Sequence, residues 1–89
     1  MALVVRARSF HAGWNRAPVY VRRALLRVLT EMAEMSVPGP VDFDASITLF
    51  IPVPVTVTEH ELPNTGWSLL YLWNEEAITL RFLCETPPR

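Results

Sequence analysis

Residues 47–57 read ITLFIPVPVTV, and this stretch decides the fold. Its odd positions are all aliphatic, whereas its even positions carry threonine, phenylalanine or proline. A period of two over these residues predicts a half-buried strand whose odd face lies in the core. Pro52 and Pro54 remove two backbone N–H donors from one side of the strand. We therefore expect an edge, a bulge or a break into two strands near them.

Two more strands are predicted after this stretch. Residues 62–66, LPNTG, are typical of a turn, and residues 67–73 then read as a central strand with apolar side chains on both faces. Residues 74–76 are the expected hairpin turn, and residues 77–85 are the partner strand. On that strand the alternation places Ile78, Leu80, Phe82 and Cys84 on one face and Thr79, Arg81, Leu83 and Glu85 on the other.

The chain begins with a predicted strand over residues 3–8 and a short helix after it. Ser9 is the expected N-cap of this helix. Phe10 and Trp14 are four residues apart, so they share one face of it. Gly13 weakens the helix by roughly 1 kcal/mol relative to alanine, which predicts only one or two turns.

A second, longer helix is expected from Pro18, which suits a first helical turn. Its apolar positions form a single stripe of Val21, Leu25, Val28, Leu29 and Met32. Three arginines lie off that stripe, and Glu31 is expected to pair with Arg27 one turn earlier. The helix should end near Met35, because the PGP of residues 38–40 cannot continue it.

This order, β-α-α-β-β-β, predicts an α+β fold in two layers. A helical hairpin would pack on a mainly antiparallel sheet of about four strands, in one domain over residues 1–89. The composition agrees, because 51% hydrophobic residues can fill a core in a chain of 89 residues. The single cysteine excludes a disulfide framework. No apolar run is long enough to span a membrane and no secretory signal is evident, so we expect a cytoplasmic protein.

The charge is divided along the chain. Residues 1–30 hold six arginines and no acid, whereas residues 31–89 hold two arginines and nine acids, and the chain contains no lysine. Two interpretations are open for this asymmetry. The basic third faces a polyanion, or the two parts neutralise each other in the folded chain.

The element order resembles that of the RelE/ParE toxin superfamily, and three segments carry the resemblance. Ser9 and Phe10, with Ala12 and Trp14, resemble the start of the family's first helix, and residues 21–29 resemble its second. Residues 66–71, GWSLLY, followed by 74–80, NEEAITL, resemble its last hairpin. The family's hairpin usually has an arginine after the aromatic residue, and Ser68 stands there in this chain.

The resemblance implies two kinds of activity. The ribonuclease branch holds mRNA on basic side chains of the sheet, but this chain has no lysine and its segment 59–61 is acidic. Carboxylates beside a scissile phosphate repel it unless a metal intervenes. The gyrase-inhibiting branch has no catalytic set, so these losses do not exclude it.

Candidate catalytic residues are His60, as an acid or base between two glutamates, and Arg81, as an anion contact or as the partner of Glu75 or Glu85. The candidate binding residues are Arg22, Arg23, Arg27, Phe50, Trp67, Tyr71 and Trp73. For each set the alternative is structural, namely a solvated strand end, a solvated helix face or core packing. Asp42 and Asp44, with Glu59 and Glu61, could supply oxygen ligands for a cation, but their spacing matches no known metal-binding loop. We therefore expect no metal, and we also expect no cofactor.

The sequence therefore predicts a RelE/ParE-like toxin-type protein of a toxin–antitoxin pair that binds a target in translation or DNA topology. The expected partners are a second copy of the chain or a small antitoxin-like protein, and nucleic acid is a possible contact of the basic helix. The alternatives are a non-enzymatic interaction module, such as an accessory or immunity protein of a mobile element, and a ribonuclease with an atypical site.

Overall fold

A computed structural model describes residues 3–34, 40, 44–50 and 52–87. The elements are β1 (Leu3–Arg6), α1 (Arg8–Arg16), α2 (Val19–Glu34), β2 (Ala45–Phe50), β3 (Pro54–Leu62), β4 (Trp67–Trp73) and β5 (Ala77–Glu85). The predicted α+β class is confirmed. The sheet has five strands where about four were expected, because the stretch 47–57 divides at its prolines into the end of β2 and the start of β3.

The sheet order is β1-β5-β4-β3-β2, which leaves β1 and β2 as the edges among the described strands. Among the described strands β1 and β5 pair in parallel, and the other three pairings are antiparallel. The mainly antiparallel character was therefore predicted correctly. The two helices lie in the connection between β1, at one edge of the sheet, and β2, at the other edge.

The segment 47–57 forms most of an antiparallel hairpin whose last pair is Phe50 with Pro54. Its alternation is confirmed, since the described odd residues of β2 and β3 are more buried than the even ones up to Val57. The odd face was expected to lie in the core, but the structure places it elsewhere. Ile47 pairs with Val57, and Glu59 pairs with Leu70, so the odd face lies on the side of the sheet away from the helices. Val57 is buried there, outside the main core.

The main core lies between the helices and the other face of the sheet. The predicted stripe of α2 is confirmed, with four of its residues buried and Leu29 half-buried. From the sheet the core receives Leu62, Leu69, Tyr71, Ile78, Leu80 and Leu83. The predicted end of the helix at Met35 lies outside the described residues.

Helix α1 rests directly on β5. A Cβ atom at Gly13 would lie 1.9 Å from the carbonyl oxygen of Leu83, so only glycine permits this approach. The helix runs for nine residues, slightly longer than predicted. Phe10 and Trp14 share its inner face as expected, with ring centroids 6.3 Å apart.

Ser9 does not cap α1. The helix begins at Arg8, with Ala7 in the capping position and no side-chain cap, and β1 ends at Arg6. The Ser9 hydroxyl instead donates a hydrogen bond of 2.5 Å to the carbonyl of Arg81. The predicted cap is wrong because Ser9 serves as a link between the helix and the sheet.

Arg81 interrupts the alternation of β5. Leu70 pairs with Phe82, but the next residue of β4, Tyr71, pairs with Leu80, which leaves Arg81 as the extra residue of a bulge. The predicted division of β5 into two faces therefore fails at this point. Leu83 joins Ile78 and Leu80 in the main core, while Phe82 lies on the opposite face.

Candidate functional site

Three polar side chains meet on the helix side of the sheet. Asp44 directly precedes β2 and lies beside His60, whose Nδ1 is 2.6 Å from its Oδ1. The hydroxyl of Tyr71 donates a hydrogen bond to Oδ2 of the same carboxylate. The side chain of Asp44 is 2% exposed and that of His60 is 13% exposed, so a nearly buried carboxylate holds a histidine that solvent still reaches.

This arrangement suits acid–base chemistry at one atom. Because Asp44 holds Nδ1, the other ring nitrogen of His60, Nε2, is the atom that can exchange a proton with a ligand. Carboxylates that orient a histidine in this way are common in catalytic sites. The sequence identified His60 but assigned Asp44 to a possible cation site with Asp42, which lies outside the described residues.

Tyr71 occupies a core position. It is fully buried, and its hydroxyl is bound to Asp44, so its ring offers no face to a base. Its burial favours a role in positioning the Asp44 carboxylate over the expected role in binding a ligand. Tyrosine hydroxyl groups usually find such a partner when they are buried.

Glu59 and Glu61 lie on the opposite face of β3 from His60, as the alternation predicted. Glu59 is buried, and its charge acts on Cys84. Burial raises the pKa of the Cys84 thiol above its ordinary value, and Glu59 raises it further, while Arg16 acts in the opposite direction. Cys84 is therefore a protonated thiol at neutral pH. It is half-buried and lies outside the main core.

Ser68 stands where the resemblance implies an arginine. It is fully buried, and its hydroxyl lies 2.9 Å from that of Thr86. The serine hydroxyl itself is therefore not exposed on the surface.

Arg81 does not form the ion pair that was favoured for it. Within the described ranges no salt bridge joins Arg81 to Glu75 or Glu85. The bulge takes Arg81 out of the regular cross-strand register on which the expected pair depended. Its guanidinium group lies 5.9 Å from the centre of the Phe82 ring, and its Nε is buried with no hydrogen-bond partner among the residues that the structure describes.

The three arginines of α2 divide into two groups. Arg22 turns toward α1, where it donates hydrogen bonds to the carbonyls of Trp14 and Asn15 and lies 5.4 Å from the Trp14 ring. Arg23 and Arg27 are exposed and line a cleft of about 300 Å³ beside the β3–β4 turn. Arg22 thus joins the two helices, and the other two arginines remain on the surface.

Direct ion pairs do not neutralise the basic third of the chain. In the part of the chain that the structure describes, the one salt bridge joins His60 to Asp44, and none involves an arginine. The pair expected between Arg27 and Glu31 is therefore not formed.

The candidate aromatic residues differ in exposure. Phe50 is 74% exposed near the tip of the β2–β3 hairpin, and Trp73 is exposed at the end of β4. Trp67 is partly buried and packs against the main core. Phe50 and Trp73 can therefore meet a partner without a change in the fold, whereas Trp67 is largely committed to packing.

A comparison of the chain with protein-family models, with curated proteins and with solved structures found no match. The described residues contain no group of three or more histidine, cysteine or acidic side chains placed to hold a metal ion. Neither of the two described helices has the length and apolar character needed to cross a lipid bilayer.

Proposed function

We propose that the chain is a RelE/ParE-like protein of the toxin type, which acts by binding a target in translation or DNA topology. In this proposal an antitoxin-like partner peptide, or a second copy of the chain, covers the apolar side chains at the edges of the sheet. The element order supports it, since one strand, two helices and a mainly antiparallel sheet ending in a hairpin are what the resemblance implies.

The observation that carries the proposal is the exposure of apolar side chains at both edges of the sheet. β1 exposes Leu3 and Val5, and the β2–β3 hairpin exposes Phe50 and Val53. An edge strand offers backbone groups to which an extended segment can add. Large apolar side chains beside such an edge are typical of a surface that another protein covers.

Growth of a bacterial host tests the proposal. We expect induced expression of the chain to arrest growth, because a free toxin occupies its target. We also expect co-expression of the short neighbouring gene to restore growth by covering the apolar edges. Growth that continues at full rate while soluble protein accumulates would contradict the toxin assignment and favour the interaction module.

A ribonuclease with an atypical site is the second candidate, and the pair of His60 with Asp44 favours it. The imidazole is oriented by a carboxylate and reached by solvent, as an acid or base requires. Against it stand the absence of lysine, the buried Ser68 and the acidic segment 59–61. We expect no metal-independent cleavage of mRNA, free or on ribosomes.

Purified protein incubated with defined mRNA, with and without ribosomes, separates the two candidates. Specific cuts that disappear in His60→Ala and persist in His11→Ala would establish the ribonuclease. His11 is the matched control, because it is the other histidine of the chain and lies exposed on α1. Intact mRNA in every lane is the result expected for a protein that acts by binding.

A further inference from the structure

The cleft beside the β3–β4 turn combines positive charge with an aromatic ring. Arg23 and Arg27 are separated by one turn of α2, and Tyr20 precedes Arg23 by three residues, so the three side chains form one row. The turn contributes Asn64 and Thr65 from the other side. None of the described residues that line the cleft is acidic.

The two guanidinium groups lack the partners that usually satisfy arginine. No side-chain hydrogen bond or salt bridge involves Arg23 or Arg27 among the described residues, even though Glu31 lies one turn beyond Arg27. Two like charges one turn apart destabilise a helix slightly. An anion bound between them removes that repulsion, and the fork of an arginine matches the geometry of a phosphate.

The ring and the amide distinguish between kinds of anion. Tyr20 is 56% exposed, so its ring is accessible to an unstacked base. Asn64 is held at a positive φ of 60° in the turn, and its amide can both donate and accept a hydrogen bond at a base edge. An acidic peptide would use the arginines but would leave the ring and the amide without a function.

We infer that this cleft binds single-stranded nucleic acid, with phosphates on Arg23 and Arg27 and a base stacked on Tyr20. The ligand is single-stranded because a base within a duplex cannot reach an aromatic ring on the protein surface. The inference does not rest on the proposed partner peptide, since the cleft and the edges of the sheet are different surfaces. Arg22, which the sequence included among the binding residues, is not part of this site, because it contacts α1. Tyr20 and Asn64 take part in its place.

Fluorescence anisotropy with a labelled ten-nucleotide oligo-U RNA tests the inference on the full chain. We expect Arg23→Gln/Arg27→Gln to weaken binding and to reduce the slope of log affinity against log salt by about 1.4, since each phosphate contact on a single strand contributes about 0.7. Tyr20→Ala should weaken binding roughly 5- to 150-fold with the slope unchanged. Arg23→Lys/Arg27→Lys should retain most of the salt dependence.

The charge-matched control is Arg8→Gln/Arg16→Gln, which removes the same charge from α1. We expect this variant to retain most of the affinity, and circular dichroism should show that all variants melt like the parent chain. A control that loses as much affinity as the cleft variant would overturn the inference, because binding would then follow net charge alone. Two other results would also overturn it: tighter binding of a labelled poly-glutamate peptide through the same arginines, or no RNA binding up to about 100 µM protein at low salt.

Discussion

Gly13→Ala is the substitution for which helix propensity and tertiary structure predict opposite signs. Alanine is better than glycine in a helix by about 1 kcal/mol, so α1 alone would gain stability. The new Cβ would, however, lie 1.9 Å from the Leu83 carbonyl oxygen, whereas contacts under 3.0 Å essentially never occur at real Cβ atoms. The helix must therefore retreat from β5 by about 1 Å, which is the amount by which the contact is too short.

That retreat weakens the packing on either side of Gly13. Phe10 and Ala17 are both buried, and the Ser9 hydroxyl binds the β5 backbone across the same interface. A gap of 0.5–1 Å costs a contact a quarter to a half of its dispersion energy. Overpacking of this kind costs about 1–3 kcal/mol. We expect a net loss of about 2 kcal/mol, which lowers the Tm of a domain of this size by roughly 8–16 °C.

Thermal unfolding followed by circular dichroism measures this effect. Asn15→Ala is the matched control, because Asn15 is exposed on the same helix and alanine there changes propensity alone. We expect the control to melt at the same temperature as the parent chain or slightly above it. A Gly13→Ala chain that also melts at or above the parent Tm would refute the close approach of α1 to β5.

Three further predictions follow from other contacts. Tyr71→Phe should lower the free energy of unfolding by about 1–3 kcal/mol, because it removes a hydrogen-bond donor from the buried Asp44 carboxylate. The control Tyr20→Phe, at an exposed position, should change it by less than about 0.5 kcal/mol, and urea denaturation measures both. Phe50→Glu should convert a self-associating chain into a folded monomer in light scattering at micromolar concentration, whereas Thr48→Glu, which places a charge at another exposed position of the same strand, should not. A parent chain that is already monomeric and captures no partner would count against the role of Phe50. The free energy of unfolding should fall as the pH rises past the ordinary pKa of a thiol, because the raised pKa of Cys84 keeps its proton bound to a higher pH in the folded chain than in the unfolded chain. The urea midpoint measured against pH tests this, and an equal fall in a Cys84→Ala chain would contradict it.

The fold was predictable where a local pattern carried it. The stripe of α2 and the alternation around residues 47–57 fix the helix and the strands because burial of one face decides both. The place of the odd face of β2 was not predictable in the same way, since alternation shows that a face is buried but does not show which layer covers it. The bulge at Arg81 could not be predicted either, because Leu80, Phe82 and Leu83 are all apolar, so a shift by one residue still places apolar side chains on both faces. No glycine or proline marks the bulge in the sequence.

The candidate site was half predictable for a related reason. His60 stood out as one of two histidines, and its orientation away from Glu59 and Glu61 followed from the strand period. Its partner Asp44 depends on the register of the β2–β3 hairpin, in which Ala45 faces Glu59. Once the turn at the prolines and the register of the hairpin are known, Asp44 is expected beside His60. The sequence alone did not give the position of that turn, and Asp44 was therefore not recognised as the partner of His60.

The surface of α2 connects the proposals. Its buried stripe faces the sheet, and a second face, with Leu26 and Thr30, borders an open groove of about 570 Å³ beside β1. The third face carries Tyr20, Arg23 and Arg27 beside the β3–β4 turn. Arg23 and Thr30 are seven residues apart and lie within about 20° of each other around the helix axis, so the two faces adjoin. The cleft and the groove nevertheless share no lining residue. Substitutions on the basic face should therefore change nucleic-acid binding without changing an association that uses the edges of the sheet. Loss of both properties in Arg23→Gln/Arg27→Gln, with the fold intact, would mean that one ligand spans the helix.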